Sequence, residues 1–158
     1  MKVHRLFPAL LALAIAAPAY GQESVDLLLN AASKALDHYE QISPRIRCQD
    51  ATTREFRDSC KNTLGGLETR VQEARAQIAH YRQLPNPKAV DLFDTYEIFR
   101  RVMEGVENLN CAPESYGEHN RPLLAEAYNT FVKVTGWFGG VVQESIRDAE
   151  TCSQRSSN

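Results

Sequence analysis

Apolar residues recur at steps of three and four along most of the chain, the period of a helix with one buried stripe. In the first such segment Val25, Leu28, Ala32, Ala35, Leu36, Tyr39 and Ile42 repeat in this way. It reads as a helix from an N-cap at Ser24 to about Ser43, ahead of Pro44. A second segment opens with Thr52 and Glu55 in capping-box register. It carries Phe56, Cys60, Leu64, Leu67, Val71, Ala74, Ile78 and Tyr81 as far as Leu84, where Pro85-Asn86-Pro87 stops it. Gly65-Gly66 inside this helix predicts a weak or kinked point. A third helix, roughly Lys88 to Asn110, turns Leu92, Tyr96, Phe99, Val102, Met103, Val106 and Leu109 inward. The fourth starts after Asn120, has Pro122 in its first turn and runs to about Cys152 through Leu124, Ala127, Phe131, Val134, Phe138 and Val141. Thr130 to Val142 is β-branched, aromatic and Gly-rich, so a strand or a broken helix is the alternative there. Four helices with three connections predict an all-α fold, an antiparallel helical bundle.

Ahead of the first helix the pattern changes. Lys2 and Arg5 precede an uncharged run from Leu6 to Gln22 whose apolar heart, Leu10 to Ala17, is short for a bilayer span. Pro18-Ala19-Tyr20-Gly21 follows, with the small residues a signal peptidase needs. This predicts a cleaved signal peptide over 1–21, cut after Gly21 (after Ala19 as the alternative), a single helical domain over 22–158, and a periplasmic or secreted location. The chain has 158 residues, 43% hydrophobic and 24% charged, which suits one globular domain and argues against disorder. Loss of Lys2 and Arg5 takes the basic residues from 18 to 16 against 20 acidic, so the exported domain is mildly acidic and has no field for nucleic acid.

Export makes the four cysteines, Cys48, Cys60, Cys111 and Cys152, candidates for two disulfides. Neighbour pairing, Cys48–Cys60 with Cys111–Cys152, is preferred, and on loop entropy the two bridges are worth roughly 3 and 4 kcal/mol. The second bridge conflicts with a plain bundle. A straight fourth helix carries Cys152 roughly 45 Å from the end where the other three cysteines lie, whereas a disulfide needs Cα atoms within about 7 Å. Either the fourth helix folds back near Gly136, Gly139 or Gly140, or the Asn110–Asn120 connection travels the length of the bundle; the fold-back is preferred, since helix-interior glycines are unfavourable.

Motifs for chemistry are absent: no nucleophile elbow, phosphate loop, dinucleotide fingerprint or zinc-binding His-Glu pattern occurs. No catalytic residue, metal site or cofactor is therefore assigned, and the chain reads as a binding or structural protein rather than an enzyme. Asp91, Asp94, Glu97, Glu104 and Glu107 line one face of the third helix, as a solvated face does. The candidate interaction residues lie in two polar connections, Arg45 and Arg47 in one, Tyr116, Glu118, His119 and Arg121 in the other. In a simple bundle both connections fall at one end, where a rigid scaffold presents them to an unidentified protein partner. The alternative is a carrier of a small ligand or haem, with an apolar pocket between helices at Trp137 and Phe138. Two short runs, Cys48 to Cys60 and Arg147 to Cys152, resemble small secreted helical proteins of the lysozyme-inhibitor-like class, which also pair their cysteines. The resemblance covers under a fifth of the chain and the spacing between its aromatic and Arg-Asp elements differs here, so no role is taken from it.

Overall fold

The computed structural model describes residues 20–156, with side chains placed for 23–144 and for Arg147. Most of the predicted signal segment, residues 1–19, lies outside the described residues. Among the described residues there are four α-helices and no strand: α1 (Tyr20–Ile42), α2 (Arg54–Gln83), α3 (Ala89–Asn110) and α4 (Asn120–Ser156). Single 3-10 turns at Ser43–Arg45, Cys48–Asp50 and Pro113–Tyr116 fill the two long connections. The helices alternate in direction; α4 packs against both α1 and α3, and α2 packs chiefly against α3.

The core follows the helical stripes. Leu28, Leu36, Leu67, Val71, Leu92, Phe99, Leu124, Phe131 and Phe138 are fully buried. A ladder of rings crosses three helices: Tyr39 to Phe131 (6.0 Å between centroids), Phe131 to Phe99 (5.4 Å), Phe99 to Phe138 (5.9 Å) and Phe138 to Tyr96 (5.5 Å). These are the tilted and edge-on separations aromatic pairs favour. Between α2 and α3 the approach is close because Gly105 lacks a side chain; a Cβ there would lie 2.5 Å from Leu67 Cδ2. The α1–α2 seam is instead closed by charge, with Arg75 gripping Asp37 (2.6 Å) and Glu40 (2.7 Å) and Arg82 donating to Asn30 (2.7 Å).

Helix boundaries depart from the sequence pattern in instructive ways. α1 already includes Tyr20, so Ser24 lies inside it rather than capping it. The cap of α2 is Thr53, whose hydroxyl accepts from the Phe56 N–H, while Thr52 bonds across to Ser115. α2 runs through Gly65-Gly66 uninterrupted. On α3 the Asp91 carboxylate accepts from the Lys88 N–H at 2.7 Å and satisfies the first turn. The acidic row there is partly neutralised, because Arg100 pairs with both Glu97 and Glu104. That pairing holds the Glu97 carboxyl below its ordinary range.

The fourth helix corrects two expectations at once. It is unbroken from Asn120 to Ser156, so neither a strand nor a fold-back occurs at Thr130–Val142. The reason is positional: Phe131, Phe138 and Val142 are buried on one face, whereas Gly136 and Gly140 are exposed. Glycine in an exposed helix position costs only about 1 kcal/mol, less than burying one of those side chains yields. An unbroken helix carries residue 152 about 48 Å from Asn120. Cys111, beside that start, is exposed with a free thiol, so the expected Cys111–Cys152 bridge is not formed; the Cys152 side chain lies outside the described residues. Cys48–Cys60 is formed, with Cα atoms 5.6 Å apart.

Candidate interaction surface at the loop end

The α1–α2 and α3–α4 connections meet at one end of the bundle, and the residue that joins them is Asn120. It is fully buried at the start of α4. Its Oδ1 accepts from the Arg47 N–H at 2.8 Å, and its Nδ2 donates to the Arg47 carbonyl at 2.8 Å and the Tyr116 carbonyl at 2.6 Å. One carboxamide thus serves Arg47 as a neighbouring strand would and ties it to the second loop. His119 adds a further tie, its Nε2–H donating to the Arg45 carbonyl at 3.2 Å. The Thr52 N–H and hydroxyl both donate to the Ser115 carbonyl, at 3.0 and 3.2 Å.

Two other features lock the geometry. Gly117 has φ +90°, a conformation open in practice to glycine alone, and a Cβ there would lie 2.6 Å from the Asp50 carbonyl oxygen. The Cys48–Cys60 bridge fastens the first loop to α2.

Of the residues singled out in the sequence, Arg45, Arg47, Glu118, His119 and Arg121 are exposed here; the first four lie on the two joined loops and Arg121 in the first turn of α4. Tyr116 is placed differently: it is only 6% exposed and meets Phe56 edge-on at 5.7 Å, so it anchors its loop from below. Trp137 and Phe138 diverge: Phe138 is fully buried in the ring ladder, while Trp137 is 44% exposed on the outside of α4. The shallow groove nearby, of about 480 Å³, is lined by Tyr96, Met103, Val132, Thr135, Gln143 and the α4 glycines, and by neither Trp137 nor Phe138. Among the described residues no three His, Cys, Asp or Glu side chains converge as a metal site.

Sequence reasoning missed Asn120, Thr52, Ser115 and Gly117. Asn before Arg-Pro marks a helix start, but nothing local says that its amide reaches back across 73 residues to Arg47. Below this end a groove of about 470 Å³ opens between α1 and α2, lined by Tyr39, Glu40, Pro44, Leu64, Gly65 and Glu68. The chain matches no protein family, no curated protein and no solved structure.

Proposed function

We propose that the protein is an exported, non-enzymatic interaction module whose loop end binds a protein partner. The observation that carries this reading is the Asn120 clasp, which makes two irregular loops one fixed surface with Arg45, Arg47 and Arg121 exposed on it. Loops held in advance pay less ordering entropy on binding. Arginine is suited to such a surface because its planar fork pairs with carboxylates in a fixed geometry. The partner this chemistry fits presents acidic side chains.

Export is supported by the Lys2, Arg5 and Leu10–Ala17 pattern and by a disulfide of the kind that persists in oxidising compartments. No helix among the described residues is long and apolar enough to cross a membrane. Cleavage after Gly21 would remove only the first two described residues of α1.

The test is affinity capture from the exported fraction with the wild-type chain and with the triple variant Arg45→Glu, Arg47→Glu, Arg121→Glu, compared side by side. These side chains are exposed, so the variant is expected to fold and to lose the partner. Retention of every captured protein by the variant would remove the loop end from consideration. The mass of the denatured chain in the same fraction checks cleavage after Gly21.

A further inference from the structure

Five large apolar side chains stand exposed among the described residues: Leu27, Val90, Phe93, Val132 and Trp137. All belong to α1, α3 and α4, and none to α2. Their placement on α4 follows from register. His38 and Glu126 pair at 3.0 Å across the outer α1–α4 seam. Leu27 lies eleven residues before His38 and Trp137 eleven after Glu126. Eleven residues make three helical turns, so Leu27 and Trp137 face the same seam further along. On the opposite flank Phe93 packs beside Tyr96, which touches Phe138. The outward face of α4 therefore has an apolar border on both sides.

The middle of that face is bare. Gly136 and Gly140 lie four residues apart on one stripe, and a Cβ built on either meets nothing within 4 Å. Beside the stripe, Thr135 lines the shallow groove; it is 7% exposed and its hydroxyl has no hydrogen-bond partner.

We propose that this face binds a second copy of the chain, α4 against α4, antiparallel about a two-fold axis that passes between Gly136 and Gly140. Self-complementarity selects this occupant. A hollow (Gly136, Gly140) and a projection (Trp137) sit on the same face, as an isologous interface requires. The axis sets Trp137 of each protomer over the partner's Gly140. Charge selects the direction. Lys133 and Glu144 are exposed on the α1 flank of α4, and in an antiparallel pair like flanks meet, so Lys133 faces the partner's Glu144 twice. A parallel two-fold would set the α1 flank of one copy against the α3 flank of the other and leave Lys133 and Glu144 without each other. The partner's Gln143 then lies over the groove that Thr135 lines.

Sedimentation equilibrium of the purified chain tests this with three variants. Gly140→Leu adds a side chain where the single chain has open space, so helicity by circular dichroism is retained while the helices are held apart. Lys133→Glu places like charges opposite each other, and Lys133→Glu with Glu144→Lys restores opposite charges. Expected are twice the chain mass for the wild type, at least tenfold weaker association for Gly140→Leu and Lys133→Glu, and recovery in the charge-swapped double variant. A wild type that stays monomeric up to submillimolar concentration overturns the proposal. So does a dimer indifferent to Gly140→Leu, or one that the double variant fails to restore.

Discussion

Tyr39 carries an unusual burden for a core residue: its ring belongs to the aromatic ladder, yet its buried hydroxyl has no hydrogen-bond partner. An unsatisfied buried hydroxyl costs roughly 1–3 kcal/mol. Tyr39→Phe keeps the ring and removes the cost, so urea unfolding is expected to show it about 1 kcal/mol or more above wild type at neutral pH. Burial first, and the Glu68 charge second, push the hydroxyl well above its ordinary value of 10.0. Because the folded value is raised, the folded state holds its proton while the unfolded chain ionises. The corresponding stability is fully present below pH 10 and is lost as pH rises above it. Tyr39→Phe is expected to flatten that alkaline decline, leaving the smaller share of Tyr81, which burial raises in the same direction. Asn120 is the opposite case, with three bonds from one side chain. Asn120→Ala strands the Arg47 N–H and the Tyr116 carbonyl, while the Arg47 carbonyl keeps the Asp50 N–H at 3.0 Å, and is expected to cost about 3 kcal/mol. Faster hydrogen exchange at the Arg47 amide would locate the damage in the loop clasp, and unchanged exchange there would refute that role.

At the scale of elements, glycine separates what the chain declares from what only packing decides. The three- and four-residue spacing from Val25 to Ile42 and from Leu92 to Leu109 was enough to place α1, α3 and their buried faces, because a stripe has one way to be hidden. Gly65-Gly66 and Gly136–Gly140 read as breaks in that pattern, because propensity is blind to which face a residue will occupy. All four of Gly65, Gly66, Gly136 and Gly140 are exposed within longer helices, where buried neighbours on the other face hold the helix. Gly65→Ala and Gly66→Ala meet no atom within 4 Å, so each is expected to raise stability by up to about 1 kcal/mol. The cysteines show the same division. Cys48 and Cys60 lie twelve residues apart across a short loop and pair as spacing suggests. Pairing Cys111 with Cys152 required α4 to bend or the α3–α4 connection to run the length of the bundle; burial of Phe131, Phe138 and Val142 along one face keeps α4 straight, and the connection stays beside its start. Replacing Cys48 and Cys60 by Ala is expected to lower stability by about 3 kcal/mol. Cys111→Ser is expected to change it little, and the native Cys111 thiol to react with a thiol reagent without denaturant.

For the whole molecule, the positions of the two surfaces on α4 determine what an assembly could do. The loop end sits at Asn120, and the proposed two-fold axis crosses α4 at its midpoint, between Gly136 and Gly140. Eighteen residues of helix separate the two, about 27 Å. Antiparallel pairing therefore sends the two loop ends to opposite ends of the dimer, about 54 Å apart and unobstructed by each other. A module of modest affinity gains from that arrangement when its partner is repeated on a surface, since the second engagement is intramolecular. The geometry also makes the dimer's shape diagnostic. α4 spans about 55 Å, and side-by-side pairing about its midpoint doubles the mass while barely lengthening the particle. Association through the loop ends would instead stack two bundles end to end and nearly double the length. Small-angle X-ray scattering of the concentrated protein is expected to give a maximum dimension close to the length of α4 plus its loops, with a cross-section that widens relative to the Gly140→Leu variant. A particle near 110 Å long would place the self-contact at the loops and leave the α4 face for another occupant.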